Sequence, residues 1–366
     1  MATISLCMIV KNEAAVLARC LESVGDAVDE IVIVDTGSSD QTKQIAAQFT
    51  DKIYDFLWCD DFSAARNFSF SKATMEFAFW LDADDVLMPA DRQIFVAQKE
   101  TLFDAADMVM MRYYTAFDES GNPTFSFYRE RLIRLHAGFL WEGRVHEAIS
   151  PAGRVVYSEA AVTHKSVKVS YTDRNLRIYE KQIADGVLLS PRDQFYYGRE
   201  LYYHKQYDSA KNMLQTFLKS GAGWVENNIE ACKILSYCYA ETGDYFAALS
   251  ALTDAFYYDT PRAEICCEIG RMLMQLQKYS TAIFWYELAL KLPRNDTSGG
   301  FLCEECYGFL PCIQLCVCYD KLGEHETAKA YNERAGKIRP TSPAYLHNLE
   351  YFKSQAQHAE SQFGIY

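Results

Sequence analysis

The chain has 366 residues, 49% hydrophobic and 23% charged, and a formal net charge of −13. This composition suits a globular chain with room for roughly two domains of about 150 residues. The acidic balance disfavours non-specific nucleic-acid binding and anionic membrane surfaces, which both draw on surplus Lys and Arg. No apolar run reaches the ~20 residues of a membrane span, and Met1 to Val10 lacks a basic leader region. A soluble, cytoplasmic protein without nucleic-acid or membrane partners is the expectation, with its 12 cysteines held as reduced thiols.

In chain order, Ile4–Val10 is strand-like, and 13–24 has helical spacing with Ala14, Leu17, Leu21 and Val24 on one face. A second strand covers 31–34. Ser39 or Asp40 is placed to cap a helix over 41–49, where a short polar side chain meets free backbone N–H groups. A third strand follows at 53–56, a helix at 63–73 and a fourth strand at 77–81. Later strands at 108–114 and 125–135 make a hairpin through 118–123. Strands alternating with helices predict a doubly wound, mainly parallel sheet. Two of the strands end in acids. The second runs into Asp35-Thr36-Gly37-Ser38-Ser39-Asp40 and the fourth into Asp82-Ala83-Asp84-Asp85. Open α/β sheets hold ligands at the carboxyl ends of their strands, so both acidic ends belong to one crevice. Asp82 and Asp84 suit a hard divalent cation, which in turn grips a diphosphate.

From about residue 171 the pattern turns helical and repeats. Ala210, Ala248, Ala282 and Ala328 each follow a short turn and lie 38, 34 and 46 residues apart, the last step carrying an insertion at 293–300. A period near 34 with a small residue early in the next helix is the tetratricopeptide signature. Such repeats stack into a curved solenoid with a concave surface. Domain limits of 1–168 and 169–366 follow. Tyr196, Tyr197, Tyr202, Tyr203, Tyr237, Tyr239, Tyr257 and Tyr258 enrich the solenoid. Adjacent tyrosines cannot both face inward, so some are expected in a peptide-binding groove. Cys303-x-x-Cys306 has zinc spacing, with Cys312, Cys316 and Cys318 nearby. Yet Cys316 and Cys318 point apart on a helix, and cysteine there packs as a small hydrophobe.

Four stretches carry a family resemblance: Met8-Ile9-Val10-Lys11-Asn12-Glu13, Val34 through Asp40, Asp61-Phe62-Ser63-Ala64-Ala65-Arg66-Asn67, and Trp80-Leu81-Asp82-Ala83-Asp84-Asp85. In order and spacing they resemble the motifs of family-2 glycosyltransferases with a GT-A fold. With the repeats behind them they are similar to a subgroup fused to tetratricopeptide repeats. The resemblance implies a Rossmann-like α/β GT-A domain followed by an all-α solenoid, and sugar transfer from a nucleotide donor, a UDP-sugar. It places Mn²⁺ or Mg²⁺ on Asp82 and Asp84, with His164 as a further metal ligand; an imidazole suits Mn²⁺ better. It places Val10, Asn12, Glu13, Asp35, Gly37, Arg66, Asp82 and Ala83 around the nucleotide sugar, Arg66 forking onto phosphate.

Within Gly143-Arg144-Val145-His146-Glu147 it points to Glu147 as the base of an inverting transfer and His146 as second choice. Plainer readings stand beside these. Asp82 and Asp84 could cap a helix after a strand, Asp85 is a capping or structural residue and Asp35 could cap its loop, and a first-turn Glu13 suits a helix dipole. Arg66 could sit exposed on its helix, His146 and Glu147 could form a structural pair, and His164 could sit in a hydrogen-bonded turn. The fusion is similar to the peptide S-glycosyltransferases of glycosylated bacteriocins (sublancin type), which implies a peptide or protein acceptor on the repeats. A thiol acceptor needs little help from a base. A transferase for cell-surface glycan and an inactive tetratricopeptide adaptor that binds nucleotide remain alternatives, and a homodimer is left open.

Overall fold

The computed structural model describes residues 1–167, 172–295 and 298–363, with side chains of the last helix described as far as 355. The expected boundary between 168 and 169, and residues 296 and 297 of the insertion, lie outside them. The chain divides into two compact units. One comprises Met1–Thr115 and Phe127–Tyr196, the other Ala116–Ser126 and Tyr197–Tyr366.

The first unit begins with β1 (Ile4–Val10), α1 (Leu17–Val24), β2 (Glu30–Asp35), α2 (Thr42–Ala46), β3 (Ile53–Asp55), α3 (Phe62–Lys72) and β4 (Phe77–Trp80). These four strands lie in the order β3-β2-β1-β4, all parallel. β1 has a neighbour on each side and buries six of its seven residues. A parallel strand covered on both faces needs such an unbroken apolar run. Beyond β4 come β5 (Asp85–Val86), α4 (Pro89–Gln98), β6 (Met108–Phe117), β7 (Pro123–Arg134) and β8 (Val155–His164), continuing the sheet as β7-β6-β8-β5. β4 meets β7 antiparallel and β6 meets β8 parallel, so the sheet is mixed beyond its first half. The hairpin expected at 118–123 turns at 118–122, where Asp118 Oδ1 accepts from the N–H groups of Ser120 and Asn122 at 2.9 and 2.8 Å.

The helix expected over 13–24 starts only at Leu17. Asn12 takes φ +56°, and hydrogen bonds tie this segment to the stretch after β2. The Asn12 N–H donates to Ser38 Oγ at 2.9 Å, the Ser39 N–H to Asn12 Oδ1 at 2.8 Å, and the Glu13 N–H to Thr42 Oγ1 at 2.8 Å. They give the Asn12 and Glu13 N–H groups partners outside any helix and join this segment to the stretch after β2. Asp40 meets the Thr42 N–H at 3.0 Å, but Gln41 occupies the cap and α2 ends at Ala46. Helices α5 (Arg174–Ala184) and α6 (Pro191–Tyr203) follow the sheet.

The second unit continues with α7 (Tyr207–Ser220), α8 (Val225–Glu241), α9 (Tyr245–Asp254), α10 (Ala263–Gln275), α11 (Tyr279–Ala289), a short β9 (Leu302–Cys303), α12 (Phe309–Lys321), α13 (His325–Ile338) and α14 (Pro343–Phe363). Four turns repeat one construction. Lys205, Gly243, Gln277 and Gly323 take φ of +60°, +82°, +56° and +80°. The residue after each donates to a carbonyl five back: Gln206 to Leu201, Asp244 to Tyr239, Lys278 to Leu273 and Glu324 to Tyr319, at 2.8–2.9 Å. This is the Schellman ending, which satisfies the last carbonyls of the first helix and turns the chain into the next. The alanines singled out in the sequence, Ala210, Ala248, Ala282 and Ala328, are all fully buried.

At Gly243 a Cβ would meet nothing within 4 Å, so Gly243→Ala isolates the backbone strain. It is expected to cost about 1–2 kcal/mol, read from urea unfolding monitored by circular dichroism. Cys316 and Cys318 are both buried in α12. Among the described residues no helix is long and apolar enough to cross a membrane.

Candidate functional site

The register Val10↔Asp35 brings the ends of β1 and β2 level, and β4 runs beside β1 toward Asp82. A cleft of about 760 Å³ opens at these strand ends. It is lined by Val10, Lys11, Asn12 and Glu13 after β1, Thr36 after β2, Arg66 on α3, and Asp82, Ala83 and Asp84 after β4. His146 and Glu147 line it from a distant loop. Asp35, Gly37 and His164 are not among the lining residues, although Thr36 is.

Asp35 is 1% exposed and shapes the loop beside the cleft. Its Oδ1 accepts from the N–H groups of Gly37 and Ser38 at 2.9 and 2.8 Å, with Gly37 at φ +103°. Its Oδ2 is buried and has no hydrogen-bond partner among the described residues. A buried carboxylate oxygen left unpaired is costly, and a donor such as a ribose hydroxyl or a base N–H would satisfy it.

Arg66 ties the site together. The capping carboxylate of Asp61 accepts from the Ala64 N–H at 2.9 Å and starts α3, which turns Arg66 to its buried face. The guanidinium lies over the rings of Trp80 and Trp141, at 4.5 and 4.9 Å. Its Nη2 donates to Asp82 Oδ1 at 2.8 Å and its Nε to Glu147 Oε1 at 2.5 Å. Burial works against the arginine's charge, but Asp82 and Glu147 outweigh it and its pKa is raised. Burial likewise pushes Asp82 up, while Arg66 first and then Arg131 pull it further down, below the usual carboxylate range. Arg66 is therefore 6% exposed and ion-paired, not an exposed helix residue. His146, at φ +52°, stacks on Tyr196 with ring centroids 4.3 Å apart, and its carbonyl accepts from Arg192.

Asp84, Asp85 and His164 form the one cluster of metal-ligand type among the described residues, with one candidate atom from each lying within 4.8 Å of the others. Asp82 does not join it, being turned to Arg66. The antiparallel pair Asp85↔His164 places the group, because β5 is laid along β8. Asp85 is fully buried, taking hydrogen bonds from Arg131 Nη1 at 3.0 Å, Tyr113 at 2.7 Å and the Asp82 N–H at 3.1 Å. It is thus a framework residue, and Asp84 with His164 is the pair suited to a cation. Carboxylate oxygen plus imidazole nitrogen is a donor set that fits Mn²⁺. Burial, then Asp85, keeps the Tyr113 phenol well above its usual pKa. A side-chain hydrogen bond to Asp85 raises His164 against the opposing effect of burial, with Asp84 adding to the rise.

Several residues around the cleft went unnoticed in the sequence. Lys11, Arg129, Arg174 and Arg177 join Arg66 in its lining, which gathers five cationic side chains on an otherwise acidic chain. Arg129 also lies over Trp80 at 4.8 Å and pairs with Glu130 at 3.0 Å. The run Arg129-Glu130-Arg131 inside a strand-like stretch was the available signal, since buried charges in a strand need partners.

Residues 5–152 match the family model described as glycosyl transferase family 2, and residues 263–296 match that for a tetratricopeptide repeat. The chain therefore carries a family-2 glycosyltransferase domain followed by tetratricopeptide repeats. It is 29% identical over 217 residues to the SPbeta prophage-derived glycosyltransferase SunS of Bacillus subtilis, covering 55% of this chain and 49% of that protein. It is 51% identical over 88 residues to a TPR repeat-containing protein of Synechococcus elongatus, covering 24% and 22%. A third relative is the lipopolysaccharide core biosynthesis glycosyltransferase LpsC of Rhizobium meliloti, 28% identical over 162 residues and covering 42% and 58%. The chain thus spans between 22% and 58% of the length of these relatives. The similarity to SunS agrees with the sublancin-type resemblance.

Proposed function

We propose that the chain is an inverting, metal-dependent glycosyltransferase that moves a sugar from a UDP-sugar to a nucleophilic side chain of a peptide or protein. The observation that carries this reading is the cleft at the strand ends, whose lining combines the acids Asp82 and Asp84 with the cations Lys11, Arg66 and Arg129. The orphaned Oδ2 of Asp35 supports a nucleoside beside Thr36, with Val10, Asn12, Glu13, Gly37 and Ala83 shaping its surroundings.

Asp84 and His164 would hold Mn²⁺ or Mg²⁺, which when bound offsets charge on the leaving diphosphate. Lys11, Arg129, Arg174 and Arg177 supply further positive charge around the phosphates. The acceptor attacks the anomeric carbon as the bond to the diphosphate oxygen breaks, and its proton passes to Glu147. Arg66 grips Glu147 Oε1 and so fixes the carboxyl's orientation, leaving Oε2 to take the proton. A thiol acceptor needs less help from a base than an alcohol does. His146, stacked on Tyr196, is the second candidate. The repeats expose Tyr203, Trp224, Phe246, Tyr257 and Phe284, aromatic surface that supports peptide capture. Twelve cysteines without a disulfide support a cytoplasmic setting.

The likeness to LpsC favours a second reading, a glycan acceptor. A thermal-shift panel of UDP-, GDP- and dTDP-sugars, with and without Mn²⁺ and Mg²⁺, tests the donor site. A ligand at 100 times its Kd stabilises by about 2.7 kcal/mol. The expected result is a rise in Tm with UDP-sugar plus Mn²⁺; no rise with any pair overturns the donor reading. Transfer to glycans and to no peptide overturns the peptide acceptor.

A further inference from the structure

Three arginines converge on Glu147, one on its side chain and one on each of its flanking peptide planes. The segment that carries it, 142–148, is a tight loop closed where Glu142 and Ala148 exchange backbone hydrogen bonds at 3.0 and 3.1 Å. Just before Glu147, His146 takes φ +52°, a left-handed conformation unfavourable for a residue with a Cβ. Such a residue persists where its surroundings over-determine it, and at His146 two side chains of α6 do so. Arg192 and Tyr196 lie one turn apart on one face of that helix. The Tyr196 ring stacks on the His146 ring at 4.3 Å and 15°. The Arg192 guanidinium lies 4.8 Å from the centre of the Tyr196 ring and donates through Nε and Nη2 to the His146 carbonyl, at 3.2 and 3.0 Å.

That carbonyl shares a rigid peptide plane with the N–H of Glu147. The next plane is held as well, because Arg129 Nη2 donates to the Glu147 carbonyl at 3.3 Å. With both planes anchored, the backbone torsions of Glu147 are fixed, and Arg66 then holds its carboxylate through Oε1. We propose that Arg192 and Tyr196 are positioning residues for the transfer reaction: they hold the His146 turn and through it place the Glu147 carboxylate at the cleft wall, where it takes the acceptor's proton. This rests on the reading of Glu147 as the base. The matched glycosyltransferase region ends at residue 152, so this part of the device comes from a helix that follows it. A general base works only within hydrogen-bond reach of the proton it takes, and a displacement of about 1 Å can cost about 100-fold in rate.

A double-mutant cycle on the full chain tests the proposal, read as Mn²⁺-dependent hydrolysis of the UDP-sugar that most raises Tm, with water as the acceptor. Glu147→Gln alone should lower turnover about 100-fold. Arg192→Ala alone should lower it between about 10- and 100-fold with little change in the KM for the donor, and Arg192→Lys should recover part of the loss. In the Glu147→Gln background, Arg192→Ala should cost less than about twofold further, because a positioning residue has nothing left to act on once its target is gone. A merely structural residue lowers turnover equally in both backgrounds, so additive losses overturn the proposal. So does a folded Arg192→Ala with wild-type turnover. Thermal melts check folding. Tyr196→Leu, which removes the ring stack and leaves the arginine in place, runs the same cycle should Arg192→Ala not fold, and is judged by the same criterion. If Glu147→Gln keeps wild-type turnover, the base reading fails and the positioning role with it. If Glu147→Gln loses turnover and the two losses add, positioning alone fails.

Discussion

Asp84→Asn is expected to lower metal-dependent turnover of a UDP-sugar by about 100-fold or more, equivalent to about 2.7 kcal/mol of transition-state stabilisation. The substitution keeps the shape of the side chain and removes its charge. The backbone has its own anchor, because the Asp84 carbonyl accepts from the Lys165 N–H at 2.8 Å. The fold should therefore survive, and a thermal melt checks it. Asp85 offers the contrast. Its carboxylate is fully buried against Arg131, Tyr113 and the Asp82 N–H, so Asp85→Asn is a stability variant and a poor probe of chemistry. Donor hydrolysis with and without Mn²⁺ is the measurement. Unchanged turnover in a folded Asp84→Asn protein removes the metal from the proposed reaction.

Arg66→Ala is expected to destabilise the first unit by about 3–5 kcal/mol, the usual cost of removing one partner of a buried ion pair. Two carboxylates depend on this one guanidinium, Asp82 at 2.8 Å and Glu147 at 2.5 Å. The substitution also empties the space over Trp80 and Trp141. At about 2–4 °C per kcal/mol for a unit of this size, the melting temperature should fall on the order of 10 °C. Arg66→Lys should recover little, since an ammonium cannot reach both carboxylates in a fork while covering the two rings. Chemical denaturation monitored by circular dichroism decides it, and a loss below about 1 kcal/mol would mean that these pairs are solvated and weak.

The parts of the molecule visible in the sequence are those encoded locally. The apolar runs of β1 and β4 and the acids that end β2 and β4 lie within single short segments. The repeat turns are equally local, and two of their four left-handed positions are glycines, Gly243 and Gly323. Fold class and the general place of the cleft follow from such segments. What stayed hidden depends on residues far apart along the chain. Arg66 and Glu147 are 81 positions apart, and Tyr113 and His164 are 51 apart; no spacing rule links them. The segment after β1 was drawn too long as a helix because periodicity cannot see the left-handed turn at Asn12 or its bonds to Ser38 and Ser39, which lie far along the chain. Asp82 and Asp84 look equivalent as written. Only the folded chain divides them, one to an arginine and the other toward a histidine.

The aromatic walls that flank Arg66 give the protein a built-in optical signal. Of five tryptophans, Trp58 lines the cleft, while Trp80 and Trp141 meet edge to face 5.1 Å apart beneath the guanidinium. Indole emission is sensitive to nearby charge, so a ligand that draws Arg66 away from Asp82 changes the intrinsic fluorescence of the first unit. Occupancy of the cleft can then be followed in unlabelled protein on the stopped-flow timescale.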